Sequence, residues 1–151
     1  MEIVSAAFEE GGTIPVQYTC IGQDISPALS WSGVPAGTQS FALIVEDSDA
    51  VEGTFTHWII FNIPADALGL EEAIPTTAQL PNGAAQGRNG FGTIGYAGPC
   101  PPPGSPHHFH FVVYALDITL DLSGGASKAQ VVNAMEGHIL DQAELIGIYQ
   151  R

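Results

Sequence analysis

Four stretches of the chain carry the apolar patterning of β-strands. The first covers residues 3–8. The second, 40–46, puts Phe41, Leu43 and Val45 on one face and Ala42 and Ile44 on the other. The third covers 57–63 and the fourth 109–116, where both alternating faces are largely apolar. A strand that is apolar on both faces belongs in the middle of a covered sheet, because each face must be taken out of water by a different layer. Weaker strand patterns occupy 17–19, 28–31 and 142–149. Turn-forming runs separate them: Gly11-Gly12, Ser32-Gly33, Pro35-Ala36-Gly37, Pro81-Asn82-Gly83 and Ser123-Gly124-Gly125.

One helix is marked late in the chain. Ser127 is a good N-cap and Gln130, three residues on, completes a capping box. Val132, Met135, Ile139, Ala143 and Ile146 then recur at helical spacing, so the same region reads as helix and, from 142, as strand. Gly137 costs a helix interior about 1 kcal/mol relative to Ala and predicts a break there. The whole pattern predicts a mainly β single domain over 1–151, an antiparallel or mixed β-sandwich of two sheets with a short helical segment near the C-terminus.

Composition narrows the function. Among 151 residues there are 3 Lys and Arg against 16 Asp and Glu, a formal charge of −13. Nucleic acid and anionic membrane are poor partners for such a chain, since phosphate neutralisation needs clustered cations. No apolar run approaches the roughly 20 residues of a membrane span. The N-terminus has no basic segment followed by an apolar core, so the expected address is the cytoplasm. Cys20 and Cys100 are too few for a disulfide scaffold. They read either as one bridge or as two thiols, and the cytoplasmic address favours two reduced thiols.

Polar residues cluster beside the strand ends. Glu46-Asp47-Ser48-Asp49 follows the second strand, His57 opens the third, and a run from Gly98 to His108 leads into the fourth. Antiparallel pairing of the second and third strands puts Asp47 and His57 at one end of the sheet. His107 joins them if the fourth strand runs the same way as the third, in a mixed sheet or with another strand between. Each feature also has a plain structural use: the aspartates as turn formers, His57 as a packed histidine, the prolines as a stiff spacer. Convergence of two carboxylates and two histidines at one sheet edge favours a site.

Other motifs fail on context. Gly90-Phe91-Gly92-Thr93-Ile94-Gly95 has the letters of a dinucleotide fingerprint, but Tyr96-Ala97-Gly98-Pro99 leaves no helix to receive the phosphate. No cofactor motif is present. Ser5, Ser26 and Ser40 are not in a nucleophile elbow. Cys100 lies between prolines, without a cation in sequence to activate it. His108 and His110 share a strand face as in some zinc sites, with a third ligand to come from Asp47, Asp49 or His57.

Longer stretches carry a family likeness. Asp24-Ile25-Ser26-Pro27-Ala28-Leu29-Ser30-Trp31, His57-Trp58-Ile59-Ile60-Phe61-Asn62-Ile63-Pro64, Gly95-Tyr96-Ala97-Gly98-Pro99-Cys100-Pro101-Pro102 and Ala134-Met135-Glu136-Gly137-His138-Ile139-Leu140 resemble the phosphatidylethanolamine-binding proteins, also called Raf kinase inhibitor-like proteins, in their bacterial and archaeal branch. Two signature stretches of that family surround its ligand site. One reads Asp-Pro-Asp-Ala-Pro followed by a His, matched by Asp47-Ser48-Asp49-Ala50-Val51 and His57 with both prolines gone. The other reads Gly-Pro-x-Pro-Pro-x-Gly, then His-Arg-Tyr or His-Arg-Phe, matched by Gly98 to Gly104 and His107-His108-Phe109 with His108 in place of the arginine.

The resemblance implies a small, pre-formed anion pocket formed by Asp47, Asp49, His57, Gly98, Pro99, Cys100, Pro101, Pro102 and His107. It implies small anions or phosphorylated small molecules as ligands, with a kinase or serine protease as a candidate partner for an inhibitor-like role. Self-association into a homodimer is left open. In this reading the imidazoles and backbone N–H groups near Gly98 and His107 donate to the anion, and Asp47 orients an imidazole. No metal, cofactor or catalytic residue is expected. The alternative is a hydrolase, metal-dependent or acid–base, using the His and Asp cluster.

Overall fold

The computed structural model describes residues 1–151 and contains two antiparallel sheets. Strands β1 (Glu2–Val4), β2 (Leu29–Ser32) and β5 (Gly69–Leu70) form the smaller one. The larger is assembled from β3 (Ser40–Asp47), β4 (Phe55–Pro64), β6 (Ala85–Gln86), β7 (His107–Leu116) and β8 (Ile139–Tyr149), in the order β6-β4-β3-β7-β8. β3 therefore lies in the interior of the larger sheet, with β4 and β7 antiparallel to it on either side.

Both faces of β3 are buried, as its two-faced pattern predicts. Phe41, Leu43 and Val45 enter a core between the sheets with Ile3, Leu29, Trp31, Trp58 and Phe111. Ala42 and Ile44 enter a second core with Ile59, Phe61, Leu116, Val131 and Met135. Each fully buried Phe, Leu or Ile contributes about 1.5–3 kcal/mol of burial, so the strand is held from two sides. The second core is covered by α1 (Lys128–Met135). Ser127 accepts from the Gln130 backbone N–H, and the Gln130 side chain accepts from the Ser127 N–H, completing the expected capping box.

Several local expectations change. Helix α1 stops at Met135, and Gly137 turns the chain in the left-handed region at φ 81°. Val132 and Ile139 are exposed rather than core-facing. From Ile139 onward the residues form β8, where Leu145, Gly147 and Tyr149 are buried alternately. The helical spacing of Ile139, Ala143 and Ile146 is thus overridden by pairing with β7, which runs the length of both strands. Residues 16–18 form a 3-10 turn instead of a strand. β1 ends at Val4, leaving Phe8 as a core residue outside the sheet.

The cysteines are also corrected. Two reduced thiols are expected from the sequence; in the structure Cys20 and Cys100 form a disulfide, with Cα atoms 5.4 Å apart. That separation falls in the range a bridge requires, and neither position along the chain could show it. No helix is long and apolar enough to cross a membrane.

Candidate functional site

The antiparallel order brings the end of β3 and the starts of β4 and β7 to one sheet edge. There Asp47, His57 and His107 line a single pocket of about 160 Å³, together with Ala50, Val51, Phe55, Phe91, Cys100, Pro101 and Pro102. All three polar side chains belong to residues less than 9% exposed.

His57 reaches this pocket through a break in strand register. Val45 pairs with Trp58, yet Glu46 pairs with Thr56, so His57 is the extra residue of a bulge. Strict alternation would place His57 with Ile59 and Phe61, on the side covered by α1. The bulge turns it to the same side as Trp58, where its ring meets Phe109 at 5.3 Å between centroids. Phe55 and Phe91 complete an aromatic collar at 5.0 and 5.9 Å. Burial in this collar pushes the imidazole below its ordinary range, against smaller upward contributions from the Ala97 carbonyl, Asp47 and Asp24. Its Nδ1 lies 2.6 Å from the Ala97 carbonyl oxygen.

His107 is held differently. Its Nδ1 lies 2.6 Å from Asp47 Oδ2, a buried imidazole–carboxylate pair. Asp47 Oδ1 accepts from the Asp49 N–H at 2.8 Å, so the same carboxylate orients the ring and closes the turn after β3. Asp47 therefore holds His107 rather than His57, a choice the sequence leaves open.

Other expected site residues lie apart from the pocket lining. Asp49 is exposed and binds the ring and the backbone N–H of His108 at 2.8 Å each. The His108 side-chain bond is the main reason Asp49 is held below the usual carboxylate range. Pro99 is buried in the wall, and Gly98 lines an adjoining hollow with Asp24, Thr93 and Ala97. The Gly98 N–H does not point to a ligand as expected: Asp24 Oδ1 accepts it at 2.6 Å. Since Pro99, Pro101 and Pro102 have no N–H, Cys100 carries the one N–H of 98–102 left without a protein acceptor.

Phe55, Phe91, Ala50 and Val51 are pocket residues that sequence reasoning missed. Phe91 stands in the motif dismissed as a nucleotide fingerprint. The loop serves a different purpose: buried Asn89 accepts from the N–H groups of Phe91 and Thr93 and donates to Gly95 O, fixing the turn that presents Phe91. An Asn followed directly by Gly is the local signal for that role.

His108 and His110 do not converge on a common ligand. His110 Nδ1 is 3.0 Å from Glu144 Oε2, and its Nε2 is 2.8 Å from Ser48 Oγ. This serine–histidine–carboxylate chain sits on the exposed face. The Ser48 N–H is spent on His108 O, which removes it as an oxyanion donor. No three His, Cys, Asp or Glu side chains are grouped to hold a metal ion.

These features define a two-sheet β protein with a small, aromatic-walled polar pocket at one sheet edge. The family model for phosphatidylethanolamine-binding protein matches residues 4–150, and the chain belongs to that family. A UPF0098 protein of Methanothermobacter thermautotrophicus is 54% identical over 151 residues, spanning 100% of this chain and 99% of its own. One from Aquifex aeolicus is 48% identical over 153 residues, spanning 100% and 89%. The crystal structure of E. coli YbcL, described as a member of the mammalian PEBP family, superposes with a TM-score of 0.92 at 36% identity, covering 99% of this chain and 98% of that one. A Chlamydia trachomatis homologue gives 0.90 at 41% identity, covering 99% and 97%.

Proposed function

We propose that the chain is a non-catalytic binding protein whose pocket takes the phosphoryl group of a small molecule or a free small anion. The observation that carries the reading is the buried Asp47–His107 pair beside His57 in one pocket. His107 lines the pocket with its Nδ1 held by Asp47, which fixes the orientation of the ring towards a ligand. The pocket's volume suits a head group rather than a whole lipid or peptide.

The lining supports binding without turnover. It contains no serine, threonine or lysine, and its one cysteine is bridged. The exposed Ser48–His110–Glu144 chain lacks the pocket a substrate needs. Regulation of a kinase or serine protease extends the same proposal, with the pocket receiving a phosphorylated or acidic group of the partner.

The test is an NMR titration with inorganic phosphate and with a phosphomonoester, following the histidine ring signals. The expected result is weak, saturable binding that shifts His57 and His107 before His108, His110 and His138, with no product formed. Turnover of the ester would assign the pocket to an enzyme.

A further inference from the structure

The two pocket histidines are backed by different groups, and this decides what each can offer. A carbonyl oxygen only accepts, so the Ala97 contact at His57 Nδ1 fixes the proton there whenever the ring is neutral. Nε2 then carries a lone pair. That atom has no partner in the protein and is not sealed off: Trp31 Nε1 is the one buried side-chain atom without a partner. His57 Nε2 therefore keeps its access to solvent, and the opening it lines is the pocket.

The surroundings keep the ring in that form. Phe55, Phe91 and Phe109 enclose it, and their burial favours the uncharged imidazole. The titratable groups facing it are Asp47 from β3, His107 from β7 and Asp24 from the loop before β2. No Lys or Arg lines the pocket.

We propose that His57 Nε2 is a hydrogen-bond acceptor that selects oxyanions carrying their own O–H, hydrogen phosphate above all, over aprotic oxyanions of the same shape such as sulfate. The inference rests on the phosphoryl-binding reading and narrows it. A sulfate would leave the His57 lone pair against an anionic oxygen; hydrogen phosphate turns that clash into a hydrogen bond. Phosphomonoesters lose their last proton near a second pKa of about 6, so they qualify only in mildly acid solution. Phosphodiesters do not qualify.

Calorimetric titration of the intact protein with inorganic phosphate, sulfate and a phosphomonoester tests this. At about pH 8, phosphate is expected to bind about tenfold or more tighter than either competitor. At about pH 5.5 the ester regains its proton, so it gains on phosphate. In His57→Gln an amide N–H can serve sulfate, and the phosphate-to-sulfate ratio at the higher pH should fall towards one. If that variant fails to fold, the wild-type ratios decide alone. Equal affinity for phosphate and sulfate at the higher pH overturns the selectivity and leaves phosphoryl binding standing. No binding of any anion at either pH overturns both.

Discussion

The two walls of the pocket are fastened in contrasting ways. The wall at 96–102 is tied to a distant part of the chain: Tyr96 Oη donates to Tyr18 O, the Gly98 N–H to Asp24 Oδ1, and the Cys20 N–H to Pro99 O, while the cystine adds a covalent link. The turn at 48–54 is secured at its base, where Asp47 and Asp49 bind neighbouring backbone and His108. Beyond that its residues 51–54 are exposed, and the one backbone bond that the Gly53 N–H makes is to Ala50 within the turn. The contrast teaches that pocket shape is set from the proline side and adjusted from the acidic side. The two prolines that the family pattern has in this turn are Ser48 and Val51 here, which leaves the adjustable wall with more freedom.

Breaking the fixed wall should have the largest effect. Reduction of the cystine, or Cys20→Ser with Cys100→Ser, is expected to lower unfolding free energy by about 2–4 kcal/mol in denaturant titration, because the bridge joins positions 80 residues apart. Thiol counting on unreduced, denatured protein should find none. Two free thiols would remove the covalent part of the contrast.

Gly98→Ala comes next, at about 1–3 kcal/mol. An added Cβ would lie 2.2 Å from Tyr18 O and 2.6 Å from Asp24 Oδ1, so the wall must separate from its support. Thermal unfolding should show the loss, and phosphate binding should weaken with it. A variant as stable as wild type would mean that the wall is not clamped there.

His57→Ala sharpens the comparison through pH. A histidine whose folded value is depressed binds more protons unfolded, so it withdraws stability as pH falls through about 6.5, its unfolded value. Wild type should lose stability over that fall, and His57→Ala should lose less of it. The variant should also bind phosphate at least about tenfold more weakly, whereas His108→Ala, outside the pocket, should change affinity little. The opposite ranking would move the site to the exposed histidine face.

Val51→Ala should be the mildest. Val51 is 84% exposed, and its truncation should change stability by less than about 0.5 kcal/mol in the same assay.

Much of this arrangement can be read from residues alone, and the exceptions have physical causes. β3 announces its two buried faces because Phe41, Leu43 and Val45 alternate with Ala42 and Ile44, a pattern that pairing does not disturb. Asp47 and His57 come to one sheet edge because antiparallel direction requires it. The aim of the His57 ring depends on a bulge, and a bulge leaves no mark in the alternation of one strand. β8 shows the reverse problem: Ile139, Ala143 and Ile146 satisfy helical spacing as well as a strand, and the partner β7 decides between them. Phe55 opens β4 and Phe91 stands on a separate loop, and they meet at 4.7 Å only after the chain folds, so neither segment hints at a collar around His57.

The bridge between Cys20 and Cys100 also determines how the molecule would answer to force. Pulled by its two ends, the chain bears load through the segments outside the bridge and through the sulfur atoms, while the covalent ring between positions 20 and 100 is shielded. That ring contains β2, β3, β4, β5 and β6, but the β7 and β8 strands completing the larger sheet lie in the loaded tail. Stretching would therefore strip β7 from β3 and take His107 away from Asp47, while His57 and its bulge stay within the protected ring.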